Sequence, residues 1–423
     1  MRRSIWLCAG IVFGLICGLA APAGAGEVTI EEQIAQLKEQ LAQIQASTNT
    51  VLEREVEGYL QQTASHQSAA GGGDWRDRTT LNWRFTAVIL GTIDYCSQNR
   101  VLVNGDVDLD FDFQITENLV GFLYLTANSN ANFEPLGDGS FTASGMTDAI
   151  GVDGTNPTDP GSITVYEAGI RHAWHIGDYI LYWEIGAIDP RRRIGQNAFA
   201  DDENTQFLNN LFDDVPSVMW LTDNTGRGSL GWHFWISLGA DKNWTVNWGW
   251  FNTPGQWFNN GQFYVQLHYK GQLSGRDMNV RVFLVIDEFF VDASGDGGVS
   301  GGLSWDWLAT ERIGVFVRIS GTGNDANPVE FDASLGVQLM QLVASRPDDV
   351  IGIALGFVSL QNNSSFGTFA EDLEVHFEIY YRAMFEGGKL QVTPVLMFVS
   401  DPGGGLAITE TLWILGLRIH VPF

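Results

Sequence analysis

Four carboxylates recur at every second position of one short segment. Asp106, Asp108, Asp110 and Asp112 alternate with apolar residues over 107–113. In an extended strand, side chains two positions apart point to the same face, so these carboxylates would stack about 7 Å apart. Like charges at that spacing require water, counter-ions or basic partners. The ladder therefore either sets a field across a pore and binds hydroxyl groups, or forms a solvated wall without selectivity.

Other segments carry charged residues that could line the same space. These candidate pore-lining residues lie on the polar positions of other alternating runs: Glu167, Arg171, Arg281, Arg312 and Arg318. The arginines are candidate partners for the aspartate ladder. Facing acidic and basic rows would place a transverse field in the pore.

A long polar connection, Asp189 to Val215, contains three consecutive arginines, Arg191, Arg192 and Arg193. A connection of this length is uncommon unless it is functional. It either folds into a barrel and forms a constriction or caps the outside. The connection from Asn128 to Ser162 is longer and rich in Gly, Asp and Thr, which predicts an external loop.

These charged positions must be held by strands, because the apolar period from Leu81 onward is two. Examples are Leu81 to Ile89, Val107 to Ile115, Trp244 to Trp250 and Val280 to Ile286. The runs have the length of tilted strands that cross a bilayer. Seventeen candidate runs, together with the even strand numbers of bacterial barrels, predict sixteen strands.

The distribution of residue types favours a membrane barrel over a soluble β-sandwich. Trp, Phe and Tyr cluster near the ends of the apolar face, whereas the opposite face carries carboxylates. The last strand alternates from Trp413 to a C-terminal Phe423, which resembles the assembly signal of outer-membrane barrels. The predicted fold is all-β, a closed antiparallel transmembrane β-barrel of about sixteen strands over 79–423.

The N-terminal region predicts export and a helical stalk. Residues 1–25 have the basic start, apolar core and small-residue cleavage site of a signal peptide. Residues 27–62 follow as a coiled coil with an apolar seam from Ile30 to Val51, and 63–78 form a Gly-rich linker. One amphipathic helix lying on the rest of the protein is the alternative. The stalk is expected in the periplasm, where it would assemble a homotrimer.

Charge and cysteine content exclude several classes of function. The formal net charge is -27, so nucleic acid is not an expected partner. Of three cysteines only Cys96 follows the signal peptide, so an intrachain disulfide is not expected. Gly298 to Gly302 formally matches a nucleophile elbow but lacks the strand-to-helix context, and the seven histidines are scattered. We therefore expect no enzyme activity, metal site or cofactor.

Three stretches resemble the carbohydrate-selective (OprB-type) porin family. They are 186–189 with 196–203 and 205–208; 346–356; and 378–381 with 390–394, 401–404, 416–418 and Phe423. The resemblance spans roughly residues 80–423. Ala187 and Arg191 to Arg193 depart from the Gly-Lys-Asp turn of the family, and the coiled coil is an addition.

The resemblance implies an outer-membrane porin for passive diffusion of small hydrophilic solutes, carbohydrates or ions. The expected partners are outer-membrane lipid and the outer-membrane assembly machinery. A barrel enzyme or a structural barrel that tethers the envelope are the alternatives. The strongly acidic composition and the aspartate ladder predict a preference for cations.

Overall fold

A computed structural model describes residues 78–93, 101–128, 163–177, 179–218, 230–239, 242–252, 261–287, 297–323, 327, 329–361, 373–402 and 411–422. The predicted signal peptide, coiled coil, external loop over 129–162 and terminal Phe423 lie outside these residues, as does the linker except Arg78. In the described ranges, no helix is both long and apolar enough to span a membrane.

Sixteen strands form the molecule between Thr79 and Pro422. Their bounds are β1 (Thr79–Ile93), β2 (Val101–Gln114), β3 (Leu119–Asn128), β4 (Ile163–Ile176), β5 (Tyr179–Ala187), β6 (Leu230–Leu238), β7 (Trp244–Asn252), β8 (Gly261–Leu273), β9 (Arg276–Asp287), β10 (Gly298–Thr310), β11 (Ile313–Thr322), β12 (Val329–Met340), β13 (Val350–Leu360), β14 (Leu373–Phe385), β15 (Leu390–Ser400) and β16 (Leu412–Pro422).

The strands form one closed barrel. Each strand pairs with its sequence neighbours, and β1 pairs with β16 in antiparallel register, with Ala87 opposite Ile419. Closure satisfies the backbone hydrogen bonds without leaving an edge, which the interior of a bilayer requires. The predicted closed antiparallel barrel of sixteen strands is confirmed.

Alternation along the strands separates the two faces of the barrel wall. On β9 and β16, Val282, Leu284 and Leu415 point outward and are about half exposed. Their neighbours Arg281 and Arg418 point inward and are buried. The apolar face thus suits contact with lipid, as the period-two pattern predicts.

The connections at the two ends of the barrel differ in length. Short turns occupy one end, such as 115–118, 274–275 and 311–312, whereas the other end includes the connections 129–162 and 188–229. Outer-membrane barrels place their short turns in the periplasm. Gly298 to Gly302, the segment that formally matches a nucleophile elbow, form the start of β10.

One side of the lumen is apolar rather than wet. A buried core joins the connection between β5 and β6 to the inner faces of β13 to β16. Its members include Phe207, Leu208, Leu211, Phe212, Ala354, Val358, Val395, Met397 and Ile414. This part of the inner wall therefore packs against protein rather than against water.

Candidate functional site

The connection after β5 folds into the barrel over its described residues, 188–218. Phe207, Leu208, Leu211 and Phe212 are fully buried within the apolar core. Their burial supplies the hydrophobic free energy that holds the segment inside. Of the two arrangements that the sequence left open, the structure shows the inward one. We call residues 188–218 the inner loop.

Buried charges on the wall hold the inner loop through its backbone. The Arg318 guanidinium donates to the carbonyl oxygens of Phe212 and Asp213 and pairs with Asp201 at 2.8 Å. The Glu378 carboxylate accepts from the backbone N–H of Leu208 at 2.9 Å. Charge-assisted hydrogen bonds to a backbone are among the stronger ones, so these contacts fix the path of the loop.

Local backbone chemistry sets the position of the three arginines. Asp189 caps a short 3-10 helix, Pro190–Arg192, and its side chain accepts from the backbone N–H of Arg191. Gly195 then adopts a φ of 67°, and a Cβ there would lie 2.7 Å from Val215. A glycine is needed at this position because both its conformation and its surroundings exclude a side chain.

The arginines meet two buried carboxylates from the barrel wall. Arg193 pairs with Glu167 at 2.5 Å and with Glu184 at 2.7 Å, and Arg192 pairs with Glu167 at 3.2 Å. Arg171 reaches Glu184 at 3.3 Å. The structure thus brings together Glu167, Arg171, Arg192 and Arg193, which the sequence placed on separate segments. We call these four residues and Glu184 the arginine cluster.

Arg191 lies beside this cluster and makes its ion pair within the inner loop. It pairs with Asp189 at 3.1 Å, and both side chains are nearly buried. Burial alone would raise the pKa of Asp189, but the charge of Arg191 and its hydrogen bonds hold that pKa well below the usual range. Burial would likewise lower the pKa of Arg193, which its carboxylate partners raise instead. Both groups therefore remain charged.

At Asp201, burial outweighs the charge of its partner Arg318 in setting the pKa of the carboxyl. Burial raises the pKa of Asp201 to about 7, against the charges of Arg318 and Arg281. Burial and the neighbouring carboxylates also raise the pKa of Asp213 well above its ordinary value. Both inner-loop carboxyls therefore take up a proton more readily than an exposed aspartate does.

The aspartate ladder faces the lumen, paired with β1 and β3. Asp108 pairs with Arg84 at 2.6 Å, and Asp110 lies 3.7 Å from the same guanidinium. Asp106 accepts from the Thr126 hydroxyl at 2.7 Å, and Asp112 accepts from the Tyr124 hydroxyl at 3.3 Å. Each of the four residues therefore has a specific neighbour within the wall.

The predicted basic partners of the ladder lie elsewhere. Arg281 pairs with Asp306 at 2.7 Å, and Arg318 is buried beneath the inner loop. Arg312 belongs to the turn between β10 and β11, where it is exposed and does not line the lumen. These three assignments to the ladder are wrong, because pairing within a barrel is decided by the neighbouring strands.

Several residues of the site were missed by the sequence analysis. Arg84 lies on β1 directly opposite Asp108. Glu184 and His233 face each other across β5 and β6 and form a contact of 2.9 Å. Arg84 and Glu184 both lie on polar positions of alternating runs, so the alternation could have identified them as facing the lumen.

A cavity of about 1140 Å³ lies between the inner loop and strands β3 to β9. Arg171, Arg192, Arg193 and Trp235 form part of its lining, and Gln272 and Asp277 mark the end with the short turns. Hydroxyl and amide groups cover much of the remaining wall: Gln196, Ser237, Asn243, Thr245, Asn247, Gln272 and Asn279. Such a lining can exchange hydrogen bonds with water or with hydroxylated solutes.

The described residues contain no cluster of His, Cys, Asp and Glu that could hold a metal ion. The carboxylates at the site contact arginines, amides or hydroxyl groups instead, as with Glu167 and Asp306. These contacts are ion pairs and hydrogen bonds.

Comparison with known proteins shows that part of the sequence, and the barrel, are similar to porins. Residues 234–423 match the family described as Carbohydrate-selective porin, OprB family. The barrel is similar to OprB of Pseudomonas putida in its high pH structure, with a TM-score of 0.66, 13% identity, and coverage of 82% of this chain and 95% of that one. No curated protein sequence matches this chain.

Two further solved structures share the architecture at lower similarity. The outer membrane protein OpdK of Pseudomonas aeruginosa has a TM-score of 0.50 at 8% identity, covering 82% of this chain and 99% of that one. The outer membrane channel DcaP of Acinetobacter baumannii has a TM-score of 0.50 at 10% identity, covering 84% and 100%. Residues 234–423 thus match the carbohydrate-selective porin family, and the barrel that contains them has the fold of outer-membrane porins.

Proposed function

We propose that this protein is an outer-membrane porin through which small hydrophilic solutes, carbohydrates in particular, diffuse passively. One observation carries the proposal: a closed barrel contains an inner loop that leaves a cavity lined by polar and charged groups. The family match over residues 234–423 supports carbohydrates as the permeating class.

The geometry supports passage without energy coupling. A sugar that enters the cavity exchanges its hydration shell for the amides and hydroxyls of the wall, so the loss of water is partly offset. The cavity is larger than the typical small-molecule pocket of about 300–1,000 Å³, which favours weak, reversible contacts over tight binding. Weak contacts allow the solute to leave as readily as it enters.

Charges on both sides of Tyr124 give the pore its electrostatic character. Asp112 accepts from the Tyr124 hydroxyl, and Arg171 donates to the same hydroxyl at 3.5 Å. The Arg192 guanidinium stands 5.2 Å from the Tyr124 ring centre. A solute passing this point meets carboxylates on one side and guanidinium groups on the other, which orients dipolar hydroxylated molecules.

The proposal extends to assembly. Residues 1–25 would direct export, and Phe423 would act as a signal for the outer-membrane assembly machinery. The seam from Ile30 to Val51 would join three copies below the membrane. Its apolar spacing supports this arrangement, and an envelope tether is the alternative use of the same stalk.

Planar-bilayer recording and liposome swelling with the purified full chain test the proposal. Stable ohmic conductance steps and swelling in isosmotic sugars are expected, whereas an enzyme or a purely structural barrel predicts neither. A correctly inserted barrel without conductance would contradict the proposal.

Two glycine variants test whether the inner loop controls the pore. Gly195 and Gly275 both have positive φ, but a Cβ at Gly275 meets nothing within 4 Å. Gly195→Ala should change the single-channel conductance because it displaces the loop, and Gly275→Ala should leave it unchanged. Equal conductance in both variants would show that the inner loop does not limit the pore.

A further inference from the structure

An aromatic surface borders the cavity next to the arginine cluster. The Trp235 ring stacks on Tyr182, with ring centres 5.0 Å apart and planes 7° apart. Its other neighbour is His233, at 4.7 Å and 20°. Trp235 lines the cavity, so part of the indole borders an otherwise polar space. Flat aromatic faces suit the C–H faces of a sugar ring, which are its least polar part.

The arginine cluster has more positive than negative charge. Arg171, Arg192 and Arg193 share only the carboxylates of Glu167 and Glu184, which leaves one excess positive charge in this set. The excess faces the cavity, because Arg171 and Arg192 have 31% and 38% of their side chains exposed. Their carboxylate partners are only 3% and 0% exposed.

Short contacts connect the aromatic surface to the exposed guanidinium. His233, stacked on Trp235, lies 2.9 Å from Glu184. The other oxygen of Glu184 lies 3.3 Å from Arg171. The indole and the Arg171 guanidinium therefore belong to one contiguous wall, with two side chains between them.

The charge of the whole cavity agrees with this local excess. Its lining contains five basic residues, Arg171, Arg192, Arg193, Lys270 and Arg281, and three acidic residues, Glu167, Glu184 and Asp277. Asp306 pairs with Arg281 at 2.7 Å and cancels its charge, which leaves one excess positive charge. The nearest aspartates of the ladder are absent from that lining, and the Tyr124 side chain bonds to Asp112 at its edge. A negative substituent in the cavity thus meets more attraction than repulsion.

We infer that the cavity binds a sugar acid, with the sugar ring on Trp235 and the carboxylate at the guanidinium of Arg171. The inference rests on the proposed porin function and names its substrate class: hydroxylated monocarboxylates of the uronate or aldonate type. Arg192, whose guanidinium lies 5.2 Å from the Tyr124 ring centre, adds a second exposed positive charge to this part of the cavity. Neutral sugars use the aromatic surface without the charged contact.

Current block in planar bilayers measures this preference in the full-length protein. Sodium glucuronate or glucose is added to the side of the short turns, at constant ionic strength, and the half-blocking concentration is recorded. The wild type should need about three- to tenfold less glucuronate than glucose, because a charge-assisted hydrogen bond adds to the stacking contact. Equal half-blocking concentrations for the two solutes would overturn the inference.

Variants assign the preference to its residues. Arg171→Gln, and independently Arg192→Gln, should bring the ratio of the two half-blocking concentrations towards one. Trp235→Leu should weaken the block by both solutes by similar factors and keep their ratio. Arg276→Gln is the matched control, since Arg276 pairs with the exposed Glu311 at 3.4 Å and lies outside the cavity lining. A wild-type ratio in both Arg171→Gln and Arg192→Gln would overturn the assignment.

The experiment separates the failure of this inference from the failure of the porin function. A channel that conducts ions and passes glucose, but does not favour glucuronate, contradicts only the sugar-acid site. An inserted barrel without conductance or swelling contradicts the porin function itself.

Discussion

Removing two carboxylates from the ladder should shift ion selectivity by a calculable amount. In the double variant Asp110→Asn, Asp112→Asn, the shape and hydrogen-bonding capacity of both side chains are retained while two charges are lost. Asp106 and Asp108 are left intact because Thr126 and Arg84 hold them at 2.7 Å and 2.6 Å. Asp110 is 21% exposed and lies farther from Arg84 than Asp108 does, at 3.7 Å against 2.6 Å.

We take about 7 Å, equal to the spacing of the ladder, as the distance between a passing ion and each carboxylate. In water the interaction is about 0.6 kcal/mol, and screening at 0.1 M salt, with a Debye length of about 10 Å, halves it to about 0.3 kcal/mol. Two carboxylates favour a monovalent cation and disfavour an anion equally. The ratio of their permeabilities therefore changes by about 1.2 kcal/mol, which is about sevenfold.

Reversal potentials in asymmetric KCl measure the ratio. The double variant should shift towards anions by about sevenfold near 0.1 M salt and by only about 1.5-fold near 1 M, where the Debye length is about 3 Å. Asp348→Asn, Glu386→Gln is the control: it removes the same charge from exposed positions on the short turns. An unchanged ratio at low salt, or a shift that persists at high salt, would refute the placement of the ladder on the conducting path.

Further predictions concern loop anchoring, turn stability, insertion and assembly. Arg318→Met should destabilise the packed barrel by about 3–5 kcal/mol, because it leaves Asp201 and backbone carbonyls without their buried partner; thermal unfolding in detergent measures this, with the exposed Arg312→Met as control. Burial raises the pKa of Asp349, but hydrogen bonds from Arg346 and Tyr381 outweigh it and hold the pKa below its ordinary 3.8. Its stabilisation is therefore present above pH 3.8 and is lost as pH falls through the lower folded value; Asp349→Asn should unfold at a lower temperature at pH 6 and lose less stability on acidification. Phe423→Ala should reduce the amount of folded barrel in isolated outer membranes, and equal amounts would argue against the terminal signal. Cross-linking should give trimers with the full chain and monomers after deletion of residues 27–70; the same oligomer from both would favour an envelope tether.

Much of the architecture could be predicted because the two faces of a membrane barrel produce a local period of two in the sequence. Strand residues alternate between lipid and lumen, so Val282 and Arg281, or Leu415 and Ile414, are assigned to faces by parity alone. The same parity put the four aspartates of β2 on one face, and the even strand numbers of bacterial barrels reduced seventeen candidate runs to sixteen strands. None of these inferences required knowledge of which strands lie across the lumen.

The sequence also contained a sign that part of the lumen is dry. The segment that forms β13, Val350–Leu360, is apolar at nearly every position, and Val358 and Leu360 on its inner face are buried. A strand whose two faces are both apolar is one that is covered on both sides. This uninterrupted apolar run therefore favours the inward arrangement of the connection after β5.

What the sequence by itself determined is the set of strands, their faces and the membrane environment, because these depend on residues close together in the chain. Only the tertiary structure decided that the inner loop folds inward, that Arg193 joins Glu167 to Glu184, and that Arg84, not Arg171 or Arg281, pairs with the ladder. Those choices depend on which strands become neighbours once the barrel closes and on how much apolar surface the loop buries against β13 to β16. Local periodicity indicates neither which strands are neighbours nor how much surface the loop buries. The charged partners in the pore could therefore be identified only from the folded structure.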